Sequence, residues 1–363
     1  MGLRLIKSVA ILMIVLFALG CAAPRAPATE VPATTTPAAP FPSGSMKKGE
    51  ITSQALAGNL VGDPSTRSFY VYLPPGYESG SRRYPVIYYL HWFGGGPSTL
   101  ALETAYQMDQ MIGTGTLRDV ILVFPDGSNS FVGSWYMSSP TIGDYETYIS
   151  AELVTLIDGT YRTLPVPESR GIMGCSMGGT GALHLALRHP DVFGVSGVMS
   201  PYLVDVEHDP VWQDAREADA REPQTFTELE GLDPSTRELV SIAAVAAPNA
   251  DKPPFYLDMP LSLEAGTAQI VPEVFEKAKA LSLLGDIQPY IDQPDRLRGL
   301  IVYADTAKGR GADKMAFTTA TSHRLDAALT EAGIEHSFVE VDAAHCDYDT
   351  TPILEFMDSH LAH

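Results

Sequence analysis

Cysteine is nearly absent from this chain: Cys21, Cys175 and Cys346 are the only three in 363 residues. No two of them stand in a CxxC pair, so a thiolate zinc ribbon and a thioredoxin-like redox centre are excluded. Basic residues are also scarce, 24 Lys and Arg against 44 Asp and Glu, for a formal charge of −20. No Lys/Arg cluster offsets that charge, which excludes nucleic acid as a partner. Ten acidic residues fall between Asp205 and Asp233, without the spacing of an EF-hand, and read as a solvated surface. There is no Walker loop, no zincin helix and no dinucleotide fingerprint, so neither a metal nor a cofactor is expected.

Long apolar runs are confined to one place. "MGLRLIKSVAILMIVLFALGC" has a short basic start and an apolar stretch, then Ala18-Leu19-Gly20-Cys21. That is the layout of an export signal, with a hydrophobic region short for a membrane span. The small residues before Cys21 resemble a bacterial lipoprotein signal, which predicts a signal peptide over 1–20 and lipidation of Cys21; plain cleaved secretion is the alternative. Residues 21–48 are rich in Pro, Ala and Thr with no apolar periodicity, and read as an extended tether. The expected product is an exported domain, 49–363, anchored to a membrane at the cell envelope through lipid, or otherwise secreted.

Within that domain, strands and helices alternate. Strands are expected over 69–75, 84–91, 119–127, 170–173, 194–200, 299–305 and 336–342. Helices are expected over 99–112, 144–162, from Met177 to before Pro190, over 318–333, and at the C-terminal end. This order implies an α/β fold with a mostly parallel sheet covered on both faces. The stretch 203–295 breaks the alternation and reads as an insertion placed like a lid or cap.

"GCSMGG", 174–179, then acquires a setting. A strand enters it, Gly174 and Gly178 surround Ser176, and a helix leaves: the context of a nucleophile elbow. The helix N-terminus behind the serine adds partial positive charge where an oxyanion would form. A serine hydroxyl needs a base and the base needs an orienting carboxylate. His345, in the loop before the last helix, is the candidate base. The acid should follow the strand 299–305, where Asp305 and Asp313 both qualify and position alone does not separate them.

The segments "YLPPGY", "YPVIYYLHWFGGG", "FPDG", "GIMGCSMGGTGALHLALRHPDVF" and "VDAAH" resemble the esterase family of α/β-hydrolases. That family includes feruloyl esterases, S-formylglutathione hydrolases and the antigen 85 mycolyltransferases, and the similarity runs over roughly residues 50–363. It implies an α/β-hydrolase fold and a serine carboxylic ester hydrolase with a Ser176–His345–acid triad. The family's acid lies about sixteen residues before the leucine that closes the next helix. Asp313 to Leu329 has that spacing, so the resemblance favours Asp313 over Asp305 and implies a lengthened loop "TAKGRGA". It also implies oxyanion donors from the Met177 and Phe93 amides. Trp92 stands where relatives carry glycine, which bears on the geometry of that loop, and His91 reads as a brace rather than a base.

Phe93, with Trp135 and Tyr136 of "GSWYMSSP", and Trp92 are candidates for a substrate pocket; for Phe93, Trp135 and Tyr136 ordinary packing under the insertion is the alternative. Cys175 precedes the serine and Cys346 follows the histidine. Two thiols are expected there, with a disulfide bracing the histidine loop as the alternative. The expected substrate is a small-molecule or polysaccharide-linked ester. Two other functions remain open: an acyltransferase using the same triad, and a non-catalytic surface lipoprotein that binds glycans or lipids.

Overall fold

A computed structural model describes residues 42–202, 204–208, 212, 221, 223–306, 312–347 and 349–363, with the backbone alone for 312–317. The expected signal peptide, Cys21 and most of the tether therefore lie outside the described residues. Eight strands form one sheet: β1 Ser45–Thr52, β2 Thr66–Leu73, β3 Val86–Leu90, β4 Ile121–Pro125, β5 Arg170–Cys175, β6 Val195–Met199, β7 Gly299–Asp305 and β8 Ser337–Val341. Their spatial order is β1-β2-β4-β3-β5-β6-β7-β8. The two junctions β1/β2 and β2/β4 are antiparallel and the other five are parallel. β3, β4, β5, β6 and β7 are buried along their whole length, which explains their unbroken apolar runs.

The expected strands are all present, with ends shifted by up to three residues. β1 corrects the tether boundary at 48: pairing with β2 starts at Ser45, opposite Leu73. As an edge strand, "SMKKGEIT" carries Lys47, Lys48 and Glu50, the charges that keep an edge from pairing further. Those charges also hide the apolar alternation by which a strand is recognised.

Helices cover both faces. α1 Pro97–Thr114 and α6 Thr351–His360 pack on one side, where Leu100, Met108, Met111, Ile353, Leu354 and Met357 meet Ile87, Leu122 and Met173 of the sheet. α1 has proline in its first turn and ends at Gly115 in the left-handed conformation, whose amide reaches back to Ile112 and Met111. The helical run 145–160, with a π-turn at Tyr148–Leu153, and α2 Met177–Arg188 pack on the other face. Between β6 and β7 lie α3 Pro234–Ala246, a hairpin of Leu261–Glu264 with Thr267–Ile270, α4 Pro272–Lys279 and a short helix Ile287–Asp292. This is the expected insertion. α5 Ala312–Glu331 leads from β7 towards β8, and begins six residues earlier than its sequence pattern suggests.

A charge cluster ties α2 to the run 145–160. Glu146 accepts from Arg188 Nε at 2.9 Å and His189 Nε2 at 2.8 Å, with His184 Nε2 at 3.5 Å, while His184 Nδ1 is 2.7 Å from Asp286. Burial works to raise the Glu146 carboxyl, but its bonds with His184, His189 and Arg188 outweigh that and hold it far below the carboxylate range. Burial likewise opposes a charged His184, and Asp286 and Glu146 overcome it, raising the imidazole. A lowered carboxyl stabilises the fold above its unfolded pKa, about 4.3, and that contribution fades as pH falls below it. A raised imidazole stabilises below its unfolded pKa, about 6.5, and loses this as pH rises through its folded value. The cluster therefore contributes most between about pH 4.5 and 6.5. Glu146→Gln is expected to lower unfolding free energy there by about 3 kcal/mol, the scale for removing one partner of a buried ion pair. Urea unfolding across pH checks this: the deficit should shrink towards pH 3, and a deficit constant with pH would contradict it.

Candidate active site

β5 rises through the middle of the sheet and stops at Cys175, and α2 starts at Met177, leaving Ser176 alone in the turn. Its backbone sits at φ 56°, ψ −119°, a conformation that L-residues rarely hold and that costs roughly 1–3 kcal/mol. Neighbouring main chain holds it there. The Ser176 amide donates to Met199 O at the end of β6 (3.0 Å), and its carbonyl accepts from the Thr180 amide at 2.8 Å. The flanking glycines are required by contact: a Cβ at Gly178 would lie 2.2 Å from Leu90 O, and one at Gly174 would lie 2.4 Å from Gly178 backbone. The hydroxyl thus stands at the C-terminal edge of the sheet, at the mouth of a helix whose first amides have no partner within it. Met177 N–H is the first of these.

His345 lies in the loop between β8 and α6. Its Nδ1 donates to Asp305 Oδ2 at 2.7 Å. Asp305 closes β7 and is fully buried. Its second oxygen accepts from Thr318 Oγ1 at 2.8 Å, and its amide donates to Ser200 Oγ at 3.3 Å. Burial works to raise the Asp305 carboxyl, but the bonds with His345 and Thr318 prevail and hold it below the usual carboxylate range. It is ionised at neutral pH, and it fixes the proton on Nδ1, leaving Nε2 as an acceptor. The carboxylate paired with His345 is therefore Asp305, the alternative, and not the favoured Asp313. The physical reason is the early start of α5 at Ala312, which takes Asp313 into a helix; its side chain lies outside those described. Thr318 and Ser200 escaped the sequence reading. A hydroxyl supporting a buried acid has no local pattern beyond lying one strand or one helical turn away.

The loop after β3 is braced by His91, which is fully buried. The Gly127 amide donates to His91 Nε2 at 2.9 Å. Nε2 is thus unprotonated, and Nδ1–H points to Trp92 O at 2.9 Å. The Gly95 amide also donates to Trp92 O, and Tyr136 Oη–H donates to His91 O at 3.1 Å. So Trp92 takes part in an ordered turn, through its carbonyl. Phe93, next along, is partly exposed, and its ring stacks on Trp135 at 5.8 Å between centroids.

Trp135 and Tyr136 do not line an open pocket, which settles them on the packing alternative. Both are fully buried. Trp135 Nε1 donates to Ser241 Oγ of α3 at 2.9 Å, and its ring lies 5.5 Å from Tyr202. Tyr136 fills the space over Gly127 and Gly181. These rings seat the inserted α3 on the loop that supports Phe93.

Cys175 and Cys346 are joined in a disulfide with Cα atoms 5.9 Å apart, which corrects the expectation of two thiols. The bridge sits directly beside Ser176 and His345. Among the described residues no group of three or more His, Cys, Asp and Glu is arranged to hold a metal ion.

A family model described as "Putative esterase" matches residues 64–242, which include the elbow but end before β7 and His345. Over 136 residues the chain is 29% identical to an endo-1,4-beta-xylanase/feruloyl esterase of Xylanibacter ruminicola, covering 36% of this chain and 19% of that protein. Over 126 residues it is 32% identical to an esterase of Mycobacterium tuberculosis, covering 33% of this chain and 25% of the relative. The chain thus spans only a fifth to a quarter of the length of these curated relatives. The fold matches a ferulic acid esterase structure with a TM-score of 0.58 and 18% identity, over 88% of this chain and 100% of the other. Over residues 64–242 the chain thus resembles esterases, and its fold is the α/β-hydrolase fold that the ferulic acid esterase structure shares.

Proposed function

We propose that the protein hydrolyses small-molecule carboxylic esters through an acyl-enzyme on Ser176. The observation that carries this reading is the His345–Asp305 pair, tied by a disulfide to the residue beside the elbow serine. Ser176 Oγ attacks the acyl carbon while His345 Nε2 takes its proton. Asp305 stabilises the imidazolium, which then protonates the leaving alcohol. Water, activated by the same imidazole, releases the acid. The Met177 and Phe93 amides bind the oxyanion, the first supported by its place at the start of α2 and the second by the braced loop.

The aromatic content of that loop, Trp92 and Phe93, favours esters with an apolar or aromatic acyl group, and relatives named feruloyl esterase point the same way. The full chain, assayed with methyl ferulate beside p-nitrophenyl acetate and butyrate, is expected to turn over at least one of them without added metal. Folded protein that cleaves none would overturn the reading. The proposed setting is the outside of the membrane, held by the lipid signal at Cys21; a disulfide is at home in such an oxidising compartment.

The oxyanion loop gives a further prediction. His91→Leu leaves the buried Gly127 amide without its acceptor, at about 1–3 kcal/mol of stability. It also frees the loop that presents Phe93, so kcat is expected to fall by roughly 10²-fold, the scale for losing one oxyanion donor, with KM little changed. Equal changes in stability and none in kcat would remove Phe93 from the proposed oxyanion site.

A further inference from the structure

We infer that the Cys175–Cys346 disulfide is a positioning element of the catalytic site: it holds the His345 loop in register with the Ser176 elbow. The inference rests on the triad reading above. Cys175 is the last residue of β5, paired with Met199 of β6 in the centre of the sheet, and is almost fully buried. Cys346 belongs to a loop of another kind. Among the described residues, the loop's main-chain bonds are local ones, Ala343 N to Val341 O at 3.0 Å and Asp347 N to Ala344 O at 2.9 Å. Cys346 itself holds a left-handed backbone at φ 59°.

Side-chain bonds tie this loop to its surroundings at His345, whose bond to Asp305 fixes one ring nitrogen, and at its far end, where Asp349 and Thr350 meet Gln107 of α1. The bridge adds a covalent attachment at the residue next to His345. Its Cα atoms are 5.9 Å apart, and each catalytic residue is the chain neighbour of one of them. With successive Cα atoms about 3.8 Å apart, Ser176 and His345 are held within about 13.5 Å of each other whatever the rest of the loop does. A bridge that acts only by constraining the unfolded chain does its work from any position. One that joins the neighbours of nucleophile and base also restricts where the base sits in the folded protein. Displacing a reacting group by about 1 Å costs roughly 10²-fold in rate.

The test compares the full oxidised chain with Cys175→Ala/Cys346→Ala. The bridge-free variant is expected to keep its circular dichroism spectrum and a KM within threefold, while kcat and the rate of fluorophosphonate labelling fall together by roughly 10²-fold. Wild type treated with a water-soluble phosphine gives the second measurement. The phosphine supplies two electrons and becomes its oxide with oxygen from water, and the bridge becomes two thiols. Activity should fall by the same factor and return on reoxidation, while the double variant responds to neither treatment. A folded variant with kcat within twofold of wild type overturns the inference, as does a variant that does not fold, because the inference requires the domain to stand without the bridge. Inactive oxidised wild type would instead overturn the triad reading, so the two failures are distinct.

Discussion

Ser176→Ala is expected to lower ester turnover by roughly 10⁶-fold, the scale seen when a triad nucleophile is removed, without unfolding the domain. The size of the loss follows from chemistry: alanine has no oxygen to form the acyl-enzyme, and the remaining oxyanion donors can only assist direct attack by water. The survival of the fold follows from the turn. Its main chain is held by Met199 O and by Thr180, neither of which needs the serine hydroxyl, and alanine keeps the Cβ already accommodated at φ 56°. Circular dichroism and an unfolding midpoint near that of wild type, together with absent turnover, check both halves. Residual activity above one per cent in the alanine variant would place the nucleophile elsewhere.

Asp305→Asn is expected to reduce kcat by roughly 10⁴-fold, and Asp313→Asn to leave it within twofold. The Asp305 carboxylate accepts from His345 at one oxygen and from Thr318 at the other. An amide has one oxygen for two donors. If its NH₂ group faces His345, the imidazole must accept at Nδ1 and carry its proton on Nε2, where it can no longer take the proton of Ser176. KM should change little, since neither carboxyl is proposed to contact substrate. The reverse ranking, with Asp313→Asn the damaging change, would restore the acid favoured by the family resemblance. Steady-state kinetics on the two variants decide it.

The outcome at this acid shows what a sequence of this kind does and does not disclose. The places of Ser176 and His345 in the fold were legible because their signals are local: a strand, a glycine-bounded turn and a helix for one, and a short loop between the last strand and last helix for the other. The acid was not, because two aspartates follow the same strand and the choice depends on where α5 begins. Helix polarity made that start invisible: Ala312 to Phe317 continue a weakly amphipathic pattern with no capping signal. What selects Asp305 is tertiary: a buried carboxylate that accepts from His345 and from the Thr318 hydroxyl of α5, on a residue whose amide donates to Ser200 just past β6. Trp135 and Tyr136 follow the same rule. Their place after β4 put them near the site, and only the packing of α3 against them distinguishes a wall from a pocket. The edge strand β1 was lost for the opposite reason, since the charges that protect an edge erase the alternation that marks a strand. Bridge formation between Cys175 and Cys346 depends on Cα separation and orientation, which spacing in the chain does not encode.

Treating the full oxidised chain with a fluorophosphonate and mapping the modified peptide by mass spectrometry tests the central claim most directly. One adduct is expected, on Ser176 of the peptide around "GCSMGG", with loss of esterase activity in proportion to labelling. Folded protein that takes up no phosphonate, or carries it on a residue other than Ser176, would contradict it.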